Sequence, residues 1–165
     1  MTAAEIISLL GLEPHPLEGG YFRRTYESSL EIGNRRLLTS IYYLLTKDSP
    51  VGFLHRNRAD ILHYHHLGAP IKYILIAPDG KLGEKVLGPD LQQGQRPQLL
   101  VPGGYWKAAQ LCAGDYALIS EAVSPGFVYA DNEIATEDLV GQHFPELREL
   151  LKGYIKRDKQ KNLAP

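Results

Sequence analysis

A chain of 165 residues and 18.4 kDa is long enough to bury one proper core. Its 18 Lys and Arg against 19 Asp and Glu leave a formal charge of −1, so there is no electrostatic basis for binding nucleic acid or an anionic membrane surface. No apolar run approaches the roughly 20 residues that span a bilayer. The single cysteine, Cys112, excludes an internal disulfide and suits a reducing compartment. Met1-Thr2-Ala3-Ala4-Glu5 lacks the basic start of a secretory signal, and a cytoplasmic location is expected.

In chain order, Thr2-x-x-Glu5 is a capping-box pattern, Ile6, Leu9 and Leu10 form an apolar face, and Gly11 stops the helix. A first β-run covers Tyr21 to Tyr26, after Gly19-Gly20. Leu37 to Leu45 is β-prone and nearly continuous in apolar residues, as a buried strand requires. Ile71 to Ala77 and Lys81 to Leu87 flank Pro78-Asp79-Gly80, a hairpin signal because Gly80 tolerates positive φ. Further runs are Gln98 to Val101, Trp106 to Leu111 and Tyr116 to Val123. Short strands at this spacing predict a mainly β fold, a sandwich or barrel over about 19–133, in one domain spanning 1–165. The chain turns helical again after Thr136. A C-terminal helix is expected over about 145–156, with Leu147, Leu150 and Leu151 on one face, followed by a polar, frayed tail from Arg157 to Pro165.

Four of the six histidines lie between positions 55 and 66. If residues 61–66 form a strand, Ile61, His63 and His65 share one face, and Leu62, Tyr64 and His66 the other. Two imidazoles on one face, with His55 close by, line a pocket or hold a metal. His66, on the opposite face from His63, is expected at the surface or a subunit interface.

These residues resemble the cupin superfamily, and within it the DUF985 (cupin 5) group. The likeness is carried by Gly11-Leu12-Glu13-Pro14-His15-Pro16, Glu18-Gly19-Gly20-Tyr21-Phe22-Arg23 and Ile41-Tyr42-Tyr43-Leu44-Leu45. It continues through His55-Arg56, His63-Tyr64, Gly68-Ala69-Pro70, Leu87-Gly88-Pro89, Arg96-Pro97-Gln98, Val101-Pro102, Trp106 and Val123-Ser124-Pro125-Gly126-Phe127. The resemblance implies an RmlC-like jelly-roll β-barrel with short N- and C-terminal helices, paired as a homodimer through sheet edges. Metal-binding cupins supply an H-x-H pair, then a glutamate seven residues before a glycine, then a histidine in a second motif. Here those places fall to Phe53 and His55, to Ile61 and to Lys107. Phenylalanine and isoleucine donate no lone pair, and a protonated lysine repels a cation. No metal and no other cofactor is therefore expected. The competing arrangement is a rebuilt site of His55, His63 and His65, which suits zinc, nickel or copper.

Several metal-free cupins that act on nucleotide sugars use a histidine base, a tyrosine acid and basic residues for the phosphates. By that resemblance the base here is His63 or His65, the acid Tyr129 or Tyr21, and the phosphate clamp Arg23 with Lys107. From its residue type alone, Arg23 clamps a carboxylate or phosphate, or pairs with Asp60 or Glu133. Lys107 replaces the glutamine common in the family; it is either a buried base or a lysine reaching solvent. Gln98 reads a ligand or bonds backbone. Tyr129, Asp131 and Glu133 alternate and meet at the rim, or bridge subunits. Phosphate loops, dinucleotide turns and the nucleophile elbow are absent from the sequence. Two functions follow. One is an epimerase or isomerase acting on a small polar metabolite; the other is a non-catalytic, storage-like binding protein. Fold alone does not separate them.

Overall fold

The computed structural model describes residues 1–156; the tail from Arg157 onward lies outside the described residues. The elements are α1 (Ala3–Leu10), β1 (Glu13–Pro14), β2 (Tyr21–Glu27), β3 (Glu31–Ile32), β4 (Arg35–Arg36), β5 (Thr39–Thr46) and β6 (Val51–Asn57). They continue with β7 (Asp60–Gly68), β8 (Ile71–Ile76), β9 (Leu82–Leu87), β10 (Gln98–Val101), β11 (Trp106–Leu111), β12 (Tyr116–Ser124), β13 (Asn132–Ile134), α2 (Glu137–His143) and α3 (Arg148–Leu151). The α1 capping box forms as its sequence dictates: Glu5 N–H donates to Thr2 Oγ1, and Thr2 N–H to Glu5 Oε2 at 2.7 Å. Gly11 ends the helix at φ 59°. Gly80, at φ 86°, turns the β8–β9 hairpin.

Two sheets face each other, in the orders β1-β2-β5-β12-β7-β10 and β13-β6-β11-β8-β9. This is the mainly β jelly-roll expected, with one amendment: no ladder joins the sheets into a closed barrel among the described residues. At the β9–β10 corner a single bridge, Leu87 to Arg96, stands in for a ladder. The segment there is bounded by Pro89 and Pro97, which lack the N–H that a ladder needs.

Alternation along the strands sorts side chains into three layers. Between the sheets lie Tyr43, Leu45, Ile71, Tyr73, Leu75, Ile119 and their neighbours. Outside the six-stranded sheet, Leu44 and Leu118 receive Ile6 of α1. Outside the five-stranded sheet, Leu54, Ile74, Ile76, Trp106 and Ala108 are covered by Val140, Phe144, Leu151, Tyr154 and Ile155. Burial on this scale is the main favourable term in the fold. The C-terminal segment is not one continuous helix. A 3-10 turn at Pro145–Leu147, α3, and another turn at Lys152–Tyr154 follow one another, and Leu150 points outward while Leu151 is buried. Leu151, Tyr154 and Ile155 all reach the sheet. No helix among the described residues is long and apolar enough to cross a membrane.

Candidate functional site

One end of the space between the sheets is apolar; the other is filled with ionisable side chains. Two cross-strand pairs build this polar end. On the six-stranded sheet, His63 of β7 sits directly opposite Glu121 of β12. On the five-stranded sheet, His55 of β6 sits opposite Lys107 of β11. Trp106 and Ala108 face outward, so the period of two turns Lys107 inward, where it is buried. Its ammonium donates to His63 Nε2 at 2.8 Å and lies 3.4 Å from both Glu121 oxygens. His63 Nε2 is itself 3.3 Å from Glu121 Oε1. Burial pushes the Glu121 carboxyl up, but Lys107 and His63 outweigh it and hold the group well below the ordinary carboxylate range. Burial and the neighbouring ammonium push His63 below its ordinary value.

A second cluster stands beside the first. Glu18 Oε1 accepts from Asn132 Nδ2 at 2.6 Å, while Glu18 Oε2 lies 3.4 Å from His55 Nε2 and 3.9 Å from His15 Nε2. Hydrogen-bond partners assign the tautomers. His15 Nδ1 accepts the N–H groups of Leu17 and Glu18, so its Nε2 carries the hydrogen. His55 Nδ1 lies 2.6 Å from the Phe53 carbonyl and must donate to it, so Nε2 keeps the lone pair. His63 Nδ1 faces the Leu99 carbonyl at 3.3 Å, and its Nε2 is taken by Lys107. Of these three imidazoles, His55 alone presents an uncommitted lone pair. Burial lowers its pKa from the ordinary value, against the pull of Glu18.

These groups floor a cleft of about 490 Å³, counted out to open solvent, with Glu18, His55 and Glu121 at its base. Phe22, Ile41, Ile61, Val123 and Phe127 form its apolar walls, and Tyr129 stands at the rim. Behind it is a chamber of about 230 Å³ lined by Tyr43, Tyr73 and Lys107 as well. Burial pushes both phenols well above their ordinary pKa, helped by Glu18 and Glu121 at Tyr43 and by Glu121 at Tyr73. Tyr43 therefore serves as a donor, and its hydroxyl bonds the Gly19 carbonyl at 2.9 Å.

His55, Lys107, His63 and Tyr129 all reach this site, but five other sequence candidates do not. His65 faces the far end of β7, where its Nε2 donates to the Ala69 carbonyl at 3.0 Å. A bulge opposite Leu118 and Ile119 interrupts the regular alternation beyond His65 and leaves His66 exposed, bonded to Ser120 Oγ at 2.8 Å. Tyr21 packs against the α1 cluster, and Arg23 donates to the Leu10 carbonyl at 2.9 Å, capping α1 instead of pairing with Asp60 or Glu133. α1 covers that face of β2, so Phe22 and Arg24 face the cleft instead. Gln98 is exposed on the edge strand β10. Glu133 binds Arg56 Nε at 2.6 Å on the outer side, where Arg56 also lies 4.9 Å over the Trp106 ring. Tyr129, Ala130 and Asp131 form a 3-10 turn and do not alternate; Asp131 pairs with Arg35 at 2.6 Å. Sequence reasoning passed over Glu121, Glu18 and His15. A carboxylate inside the apolar run Tyr116–Val123 was the legible signal for Glu121. Glu18 and His15 lay within the stretches that carried the family likeness.

The fold and the polar interior agree with the sequence family described as the cupin superfamily (DUF985), whose model matches residues 4–135. The chain belongs to this family. An uncharacterised protein of Saccharomyces cerevisiae is 38% identical to this cupin over 134 residues, 70% of this chain and 66% of the relative. A solved structure from Shewanella oneidensis superposes with a TM-score of 0.90 at 33% identity, covering 96% of this chain and 99% of that one. A hypothetical protein from Leishmania major gives 0.89 at 30%, covering 95% and 100%. Oxalate decarboxylase from Bacillus subtilis is similar in fold alone, at 14% identity and a TM-score of 0.57 over 90% of this chain and 38% of that one.

At the positions where the family resemblance sets metal ligands, the donors of this chain do not suit a metal. Phe53 and Ile61 offer no lone pair, His15 presents an N–H, and the Lys107 ammonium occupies His63 Nε2. The alternative set of His55, His63 and His65 is not brought together, because His65 is engaged at Ala69.

Gly19 places Glu18. At φ 80° it adopts a conformation that L residues avoid, and a Cβ there falls 2.5 Å from the Val51 carbonyl. Gly19→Ala is expected to cost on the order of 2 kcal/mol in a urea titration. A variant as stable as the wild type would mean the turn is not so constrained.

Proposed function

We propose that this cupin binds a small polar metabolite in the cleft and moves a proton on it, in the manner of an epimerase or isomerase. One observation carries the reading: His55 Nε2 keeps its lone pair at the cleft, with Glu18 Oε2 3.4 Å from that same nitrogen. An imidazole that takes a proton there becomes a cation, and the adjacent carboxylate stabilises it. The base is thus His55, in place of His63 or His65. Tyr129, at the rim, is the acid placed to meet the other side of the ligand. The phosphate clamp of the nucleotide-sugar version lacks support, since Arg23 caps α1 and Lys107 is saturated by His63 and Glu121. The reading includes a homodimer in the cytoplasm; the outer edge of β10, unpaired among the described residues and carrying exposed Leu100, supports the pairing.

The non-catalytic reading has its own support. Lys107, His63 and Glu121 satisfy one another and need no ligand. Native mass spectrometry for a retained small molecule, followed by incubation in D2O, separates the two. Proton transfer predicts deuterium uptake into that molecule's carbon framework, slowed by about 10²–10⁴ in His55→Gln with the molecule still bound. Retention without any uptake would establish a binding protein. Uptake undiminished in His55→Gln would remove His55 from the role.

A further inference from the structure

Two amides beside the His55–Glu18 pair are each half used. Asn57, at the end of β6 and buried, accepts the Ala59 N–H on Oδ1 at 2.9 Å. Its Nδ2 is buried with no partner among the described residues. Asn132 donates through Nδ2 to Glu18, and its Oδ1 is buried and equally without a partner. Neither amide can be flipped to cure this. Turning Asn57 sets NH2 against an N–H, and turning Asn132 sets a carbonyl against a carboxylate. An unmet buried polar atom has lost its water without gaining a partner, so each is a standing demand for a ligand or water. Both residues line the cleft. They are also directly opposite each other in the β6–β13 pairing, where side chains start only about 5 Å apart. One donor and one acceptor are therefore offered side by side. His55 lies two residues before Asn57 on the same face of β6, so its free Nε2 opens into the same space.

We infer that Asn57 and Asn132 form the recognition pair for an uncharged α-hydroxy-carbonyl compound, with Asn57 Nδ2 donating to its carbonyl oxygen and Asn132 Oδ1 accepting from its hydroxyl. The choice of carbonyl rests on the proton-transfer reading, which needs an acidic C–H between the two oxygens. His55 Nε2 takes that hydrogen as a proton. The C–H electron pair becomes the C=C bond of an enediolate, and the carbonyl π pair moves onto the oxygen held by Asn57. Return of a proton to the same carbon restores the carbonyl, so the only net change is one exchanged hydrogen. A donor placed where negative charge develops lowers the barrier, because it is already oriented. The charge balance selects against anions. Glu18 and Glu121 face the cleft, one ammonium lies behind them, and the charge of Arg24 at the wall is paired with Glu27 at 2.6 Å, although Arg24 Nε is buried with no partner among the described residues.

The test is a titration of ¹⁵N-labelled protein with dihydroxyacetone, and separately with glycolate, whose carboxylate replaces the ketone. The expected result is movement of the Asn57 and Asn132 side-chain amide signals with the ketone and none with glycolate. Asn57→Asp keeps the acceptor for Ala59 N–H but loses the donor, and is expected to bind the ketone about tenfold more weakly. Unmoved amide signals, equal response to glycolate, or unchanged binding in Asn57→Asp would overturn the assignment. The wild-type signals decide it even if that variant does not fold. Deuterium uptake into dihydroxyacetone separates this inference from the proposed function. Asn57-dependent binding without uptake sinks proton transfer alone, and uptake that ignores Asn57 sinks the recognition pair alone.

Discussion

Lys107→Met is expected to destabilise the fold by about 3–5 kcal/mol, because it removes the one cation of a buried cluster and leaves Glu121 charged in the interior. Small domains hold only about 5–15 kcal/mol in total, so a large part of the margin disappears. The ammonium does two things at once: it donates to His63 Nε2 at 2.8 Å and lies 3.4 Å from each Glu121 oxygen. Methionine keeps the length of the side chain and supplies neither. The informative control is the double variant Lys107→Met with Glu121→Leu. An apolar pair of similar volume is often as stable as the ion pair it replaces, so most of the lost stability should return. Urea unfolding of both singles and the double measures the coupling. A Lys107→Met protein within about 1 kcal/mol of wild type would show that Lys107 does not hold Glu121.

The second large effect is with pH. Burial is the foremost cause that holds His15, His55 and His63 below the ordinary histidine value of 6.5. The unfolded chain therefore takes up protons near 6.5 that the folded chain refuses, and stability rises with pH through that range. Read downward, stability is intact above 6.5. Below that it falls by up to about 1.4 kcal/mol per pH unit for each fully buried histidine, until the folded-state value is reached. Glu121 acts lower down. Its folded pKa is depressed from the ordinary 4.5, so its contribution is present above 4.5 and is lost only as the pH falls well below it. Thermal unfolding across neutral to mildly acidic buffers should show the decline starting near 6.5, not near 4.5. His63→Gln should flatten that decline by roughly one proton's worth. A melting temperature independent of pH down to about 5 would contradict the buried neutral histidines.

The inward turn of Lys107 shows how the amino-acid order reaches the site. Trp106–Leu111 and Gln98–Val101 have the strand limits expected from β-prone runs bounded by Gly, Pro and polar turns. Thr2, Glu5, Gly11 and Gly80 act through caps and φ preferences that need nothing beyond their neighbours. Alternation also placed His63 and Ile61 on one face before any packing was known. The site followed less readily. Alternation says which residues share a face, not which face is covered. Residue type and alternation point Tyr21 and Arg23 to the pocket, yet α1 takes that side and turns Phe22 and Arg24 inward. Glu133 was assigned to the rim, yet β13 carries it outward to Arg56.

The chain by itself therefore determined most of the longer strands, the turns and the histidine-rich strand, because each depends on interactions a few residues long, but not β6 or β13, which carry His55, Asn57 and Asn132. The tertiary structure decided which imidazole is free. His55 meets Glu18 from a loop 37 residues earlier, while His63 is consumed by Lys107, 44 residues later. Hydrogen-bond donors and acceptors are used up in space, and that accounting is settled only when β6, β7, β11, β12 and the Glu18 loop come together.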